Sequence, residues 1–240
     1  MMLCNQKQYT WRYIMIIVVG GVKGGSGKTT IATNLAVIRS RAGKKVLLVD
    51  ADEQKSTSVF ANQRDVLQIE TKWSTIQLAG KTINAQINRL KGNYDDIIID
   101  AGGRDTTSQR SALLVADIYL VPFRPRSYDV WTVGDVKTII SEMKVGNPNL
   151  QAFAFINQAD PKGTDNEDSF EILEECEELK CIKITIGSRK TFGNSASDGL
   201  GVIEVKNPDK KAVQEIKGLY DFLYNKCIIP IQKIHTAGIQ

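Results

Sequence analysis

Val22-Lys23-Gly24-Gly25-Ser26-Gly27-Lys28-Thr29-Thr30 stands between a branched apolar run at residues 14–19 and a run at 31–41 whose apolar residues recur at helical spacing. A strand, a glycine-rich turn, Lys-Thr and a helix in that order form a phosphate-binding loop. Glycines at 24, 25 and 27 permit positive φ and a close approach of the backbone, so that successive N–H groups converge on polyphosphate oxygens. The helix starting near Lys28 adds its N-terminal dipole to the same anion site. Lys28 then reaches the β- and γ-phosphates and the Thr29 hydroxyl binds Mg²⁺, with Gly24, Gly25, Ser26, Gly27 and Thr30 completing the cradle.

Further along the chain, three more apolar runs end in polar residues, as expected of strands whose carboxyl ends face a ligand crevice. Residues 46–49 lead into Asp50-Ala51-Asp52-Glu53-Gln54. Residues 97–99 lead into Asp100, a carboxylate suited to hold Mg²⁺ through water. Ala101-Gly102-Gly103-Arg104-Asp105 follows as a loop able to move when the γ-phosphate leaves, with Arg104 open to two readings, a phosphate contact or a pair with Asp105. Residues 153–156 end in Asn157-Gln158, where an amide either reads the adenine edge or caps its own turn. No Asn-Lys-x-Asp guanine motif is visible, which favours ATP over GTP.

Strand-like runs at 14–19, 46–49, 68–72, 96–99, 118–121, 152–156 and 182–185 alternate with helical stretches. That alternation predicts an α/β fold, a mainly parallel sheet with helices on both faces. In a chain of 240 residues it implies one domain at 15–226, an arm or upstream-start extension at 1–14 and a tail at 227–240. An acidic helix is expected over 167–178, and a closing helix over 208–226 with a core stripe of Ala212, Val213, Ile216, Leu219, Tyr220 and Leu223.

The run Lys23-Gly24-Gly25-Ser26-Gly27-Lys28-Thr29 resembles the deviant Walker A box of the ParA/MinD ATPases, and residues 100–131 resemble the small plasmid-type ParA proteins. The resemblance implies a Mg²⁺-dependent ATPase that closes into an ATP-dependent sandwich homodimer, with Lys23 reaching across to the partner's phosphates. It makes Asp52 the residue that positions the attacking water and Asp50 a support of the Mg²⁺ and phosphate network, so that Lys23, Lys28 and Asp52 form the catalytic set. It also points to Asn157 as the base-reading residue. The family proline between Asp52 and Gln54 is replaced here by Glu53, which leaves the switch backbone less constrained. The implied partners are non-specific DNA and a ParB-type or other cargo adaptor, and the implied location is the cytoplasm, on the nucleoid. Arg189 and Lys190, in a segment similar to the family's basic stretch, lead the DNA-binding candidates, followed by Lys210 and Lys211, then Lys206 and Lys217.

Other classes are disfavoured by composition. Residues 1–13 lack the apolar core of a signal peptide, and no run approaches the about 20 residues needed to span a bilayer. Cys4, Cys176, Cys181 and Cys227 lack metal-site spacing and His235 is the sole histidine, which argues against zinc, iron–sulfur or His-based chemistry and for free thiols. A MinD-like membrane-surface ATPase is the alternative reading, since Ile228, Ile229, Ile231 and Ile234 lie with Lys226 and Lys233 in the tail, but Pro230 interrupts them and makes a membrane partner the weaker expectation.

Overall fold

Met15–Val19 forms β1 near the middle of a seven-stranded sheet of order β3-β2-β4-β1-β5-β6-β7, parallel at every pairing. The computed structural model describes residues 14–126, 131–162 and 164–226. After β1 come α1 (Lys28–Arg41), β2 (Val46–Ala51), α2 (Ser56–Val66), β3 (Trp73–Gln77), α3 (Ile83–Leu90), β4 (Asp96–Ala101), α4 (Thr107–Leu113) and β5 (Ile118–Phe123). The second half supplies α5 (Val133–Gly146), β6 (Gln151–Ala159), α6 (Asp165–Glu174), β7 (Lys180–Gly187), α7 (Lys190–Ser197) and α8 (Lys210–Asp221).

The central strands read as unbroken apolar runs because both of their faces are covered. Alternation along β1 sends Ile16 and Val18 into one core with Ile83, Ile87, Val136 and Ile140, from α3 and α5. Ile17 and Val19 enter the other with Ile31, Leu35, Phe60, Phe192 and Ile216, from α1, α2, α7 and α8. Beside β1 the strand order reverses, from the β2–β4 side to the β5–β6 side. Ligand crevices form at such a switch point, outside the carboxyl ends of the strands. The glycine-rich loop leaves β1 there.

The expected strand at 68–72 is a correction. Gln68 has φ 53 and the Ile69 N–H turns back to the Arg64 carbonyl, so the segment closes α2, and the edge strand begins at Trp73. The cause is Arg64, which is fully buried: its Nε donates to Thr71 Oγ1 at 3.0 Å and Nη2 to the Glu70 carbonyl at 2.9 Å. Its Nη1 donates to Gly199 O at 2.8 Å and to Glu204 Oε2 at 2.6 Å, and the guanidinium lies 4.6 Å from the Trp73 ring centre. A charge placed in the core takes every neighbouring acceptor it can reach, and periodicity does not register that demand.

Two helices are shorter than expected. α6 ends at Glu174, leaving Glu175, Glu177 and Glu178 in the following turn, where Glu178 pairs with Lys137 at 3.2 Å. α8 starts at Lys210 because the Asp209 side chain caps the Lys211 and Ala212 N–H groups, and it runs into a π-turn at Phe222–Lys226. Ala212, Ile216, Leu219 and Leu223 are buried as the stripe requires, with Val213 and Tyr220 partly buried beside them. The arm and tail expectations fall on residues 1–13 and 227–240, outside the described residues.

Candidate nucleotide site

At the carboxyl end of β1, Gly27 adopts φ 87 and begins α1 with no side-chain cap, leaving the helix's first N–H groups for an anion. Lys28 is buried to 6% exposure, and its Nζ donates to the Lys23 carbonyl at 2.8 Å across the loop. Burial pushes the Lys28 ammonium down from its ordinary range, while the Asp100 and Asp52 carboxylates oppose that shift and Arg124 adds to it. Such a lysine gains most from an incoming phosphate. The Lys23 side chain is exposed.

Asp100 is fully buried, and its Oδ2 accepts from Thr29 Oγ1 and from Thr57 Oγ1, each at 2.7 Å. Its Oδ1, equally buried, has no hydrogen-bond partner among the described residues. Burial pushes this carboxyl up to about 7, against the Thr29 and Thr57 hydrogen bonds; the Asp50 charge adds to the rise and the Lys28 charge opposes it. An orphaned buried carboxylate oxygen beside the Thr29 hydroxyl is a hard-oxygen site suited to Mg²⁺, so the residues present fit that ion. Thr57 was not a sequence candidate; its signal was a hydroxyl in the first turn of the helix that follows Asp50-Ala51-Asp52.

Asp50 is also buried, and both of its oxygens serve the β2–α2 turn: Oδ2 accepts from Ser58 N and Oγ at 2.8 and 2.7 Å, and Oδ1 from Asp52 N at 3.2 Å. It thereby fixes the turn from which Asp52 projects. Asp52 Oδ1 accepts from Gln54 N at 3.1 Å, and its carbonyl accepts from Lys55 N at 3.1 Å, Lys55 itself having φ 56. Without the family proline, this turn is closed by hydrogen bonds.

Opposite Asp52, Gly103 packs on the phosphate loop so tightly that a Cβ there would lie 2.8 Å from Gly24 Cα. Asp105 is held by Arg110, through two contacts of 2.6 Å, while Arg104 lines the cavity beside Gly24, Lys28, Thr29 and Asp52; of the two readings of Arg104, its placement suits the phosphate contact. That cavity measures about 670 Å³.

The loop is held from below by residues distant in sequence. Asn157 Nδ2 donates to Ser26 O at 2.6 Å and Gln158 Nε2 to Gly25 O at 2.9 Å, both from the bulged end of β6, where Gln158 takes φ 56. Gln109, fully buried on α4, accepts from Gly21 N at 3.0 Å. Gln109 had no sequence signal beyond its type, whereas Gln158 was read with Asn157 as a strand-end amide and is placed here on the Gly25 carbonyl.

Lys190, Lys206, Lys210, Lys211 and Lys217 are exposed, whereas Arg189 is partly buried and bound to Glu215 at 2.7 Å. Cys176 and Cys181 are free thiols, and among the described residues no group of three or more His, Cys, Asp and Glu side chains is gathered as a metal cage.

The family model described as the CobQ/CobB/MinD/ParA nucleotide binding domain matches residues 17–202. The maintenance of carboxysome distribution protein A of Halothiobacillus neapolitanus is 25% identical over 205 residues, 83% of this chain and 92% of that protein. A Borrelia burgdorferi plasmid partition protein solved with AMPPNP superposes with a TM-score of 0.69 at 20% identity, covering 90% of this chain and 100% of the other. The septum site-determining protein MinD of Pyrococcus horikoshii, solved with Mg-ADP, gives a TM-score of 0.70 at 17% identity over 89% and 97% of the two chains. Loop, strand-end carboxylates and family match coincide, and the chain belongs to the ParA/MinD ATPases of the CobQ/CobB/MinD/ParA nucleotide-binding family.

Proposed function

We propose that this protein is a ParA-type ATPase that binds Mg-ATP, closes into a sandwich homodimer and, in that state, holds DNA without sequence preference to partition or position a cargo. The observation that carries the nucleotide part is the Asp100 Oδ1 next to Thr29, unpartnered among the described residues, with the buried Lys28 and the uncapped start of α1 on the same crevice.

In this reading Lys28 Nζ exchanges the Lys23 carbonyl for the β- and γ-phosphates, and the α1 N–H groups take the remaining oxygens. Thr29 and Asp100 would hold Mg²⁺, and the ion, when bound, would supply Lewis-acid stabilisation of the phosphate oxygens. Asp52 orients the attacking water, and Lys23 of each protomer neutralises charge in its partner's site. Asn157 has its Nδ2 on the loop and contributes to base selection through the same strand end. Closure brings two copies of the Lys190, Lys210 and Lys211 group onto one assembly, and paired basic groups bind a polyanion far more tightly than one. A cytoplasmic, nucleoid-bound ATPase with a ParB-type or other adaptor as its stimulator follows from this reading, supported by the partition and positioning proteins among its relatives. The nature of the cargo is left to that adaptor.

The test is dimer formation. Wild type should dimerise with ATP and remain monomeric with ADP in light scattering, and Lys23→Gln should bind ATP yet stay monomeric. A Lys23→Gln protein that dimerises normally contradicts the assignment. ATP-dependent vesicle binding without DNA binding would favour the MinD-like alternative.

A further inference from the structure

The acid–base arrangement around Arg189 assigns it a role different from that of the lysines near it. Arg189 immediately precedes α7, and its Nη2 and Nε donate to Glu215 Oε1 at 2.7 Å and Oε2 at 3.1 Å, on the second turn of α8. Its Nη1 lies 3.7 Å from Asp209 Oδ2, the capping residue of α8. Glu215 Oε2 also accepts from the Gly187 N–H at 3.0 Å, at the end of β7. The Arg189–Glu215 pair thus joins the end of β7, the start of α7 and the first turns of α8. Lys190 is the first residue of α7, and Lys210 and Lys211 are the first two of α8; all three are exposed.

We propose that Arg189 is a positioning residue, which sets the spacing of Lys190, Lys210 and Lys211 against one polyanion and does not itself contact phosphate. The inference rests on the DNA-binding reading above. Two physical arguments carry it. The planar fork of an arginine matches a carboxylate bidentately, and Glu215 already takes that geometry. Moving the guanidinium to a phosphate would also leave Glu215 and Asp209 uncompensated among the DNA charges, a repulsion that would offset the new contact.

The experiment is a charge exchange read by DNA anisotropy with ATP across a salt series. Arg189→Glu alone should weaken binding more than tenfold. Arg189→Glu combined with Glu215→Arg should restore affinity to within about threefold of wild type, with an unchanged dependence on salt, since no phosphate contact is lost. Lys210→Ala, the control for a direct contact, should flatten the log–log salt slope by about 0.9 per subunit contact removed. A double variant that melts like wild type but binds no better than Arg189→Glu overturns the proposal. If the exchange impairs folding, Glu215→Gln decides: it removes a negative charge and frees Arg189, so a phosphate-contacting arginine would bind DNA more tightly, whereas a positioning one predicts weaker binding. Tighter binding overturns the proposal. Wild type that fails to bind DNA in every nucleotide state removes the DNA reading itself and this inference with it, an outcome separate from any difference among variants.

Discussion

Asn157 Nδ2 donates to the Ser26 carbonyl at 2.6 Å, joining the end of β6 to a phosphate loop 131 residues earlier in the chain. The contact is so close that a Cβ on Gly27 would lie 2.3 Å from the same nitrogen. The loop's shape is therefore set as much by β6 as by its own glycines, and a glycine-rich loop held from outside meets a polyphosphate with less ordering left to do.

Gln158 offers the cleaner test of this support, since it is only partly buried, where Asn157 is buried, and its side chain donates to Gly25 O at 2.9 Å. One hydrogen bond of this kind contributes about 1 kcal/mol, or about fivefold in affinity. Gln158→Ala should weaken ATP and ADP binding alike by about that factor in calorimetric titration. A loss confined to ATP would mean that Gln158 senses the γ-phosphate.

The Arg64–Glu204 pair ties α2, just beyond the Asp52 turn, to the segment between α7 and α8. Removing one partner from a buried pair leaves the other charge unpaired, so Glu204→Ala should cost about 3–5 kcal/mol in urea unfolding. Burial raises the Glu204 pKa, but the Arg64 hydrogen bond, the Gly201 N–H and the Arg64 and Arg41 charges outweigh it, and the net shift is downward. The folded carboxyl therefore holds its proton less tightly than the unfolded one, at about 4.3. The pair's contribution is complete above that value and is lost as pH falls through the depressed folded value. Unfolding midpoints of wild type should fall over this acidic window more steeply than those of Glu204→Gln. Parallel curves would contradict the linkage.

Asp52 faces Gly102 across the cavity, with its Oδ1 3.3 Å from where a Gly102 Cβ would stand. Asp52→Ala should bind ATP with affinity within about threefold of wild type and lose at least about 100-fold in single-turnover hydrolysis, the scale of a lost general-base or water-orienting group. ATP-bound dimers should persist. Normal turnover would remove Asp52 from the reaction.

Much of the candidate site's geometry was legible in the sequence because its signals are local. Gly24 to Thr30, Asp52 and Asp100 each follow an apolar strand, and a parallel sheet delivers every such strand end to one crevice. Residues whose roles depend on contacts far along the chain were not legible. Gln109 carries no pattern that separates it from surface polar residues, Thr57 shows only a hydroxyl early in its helix, the strand-end position of Gln158 does not reveal its bond to the Gly25 carbonyl, and Arg64 in the core turned an expected strand at 68–72 into a wrapped turn. Arg189 leads the DNA-binding candidates in the sequence, where charge alone does not reveal Glu215, 26 residues later, as its partner.

DNA binding across nucleotide states tests the central claim most directly. Fluorescence anisotropy on unrelated duplexes, with ATP, ADP or no nucleotide over a salt series, should give sequence-independent, salt-sensitive binding with ATP alone, lost in Lys23→Gln. Equal binding in all three states, or ATP-dependent dimers that bind no DNA at any salt concentration, would contradict the account.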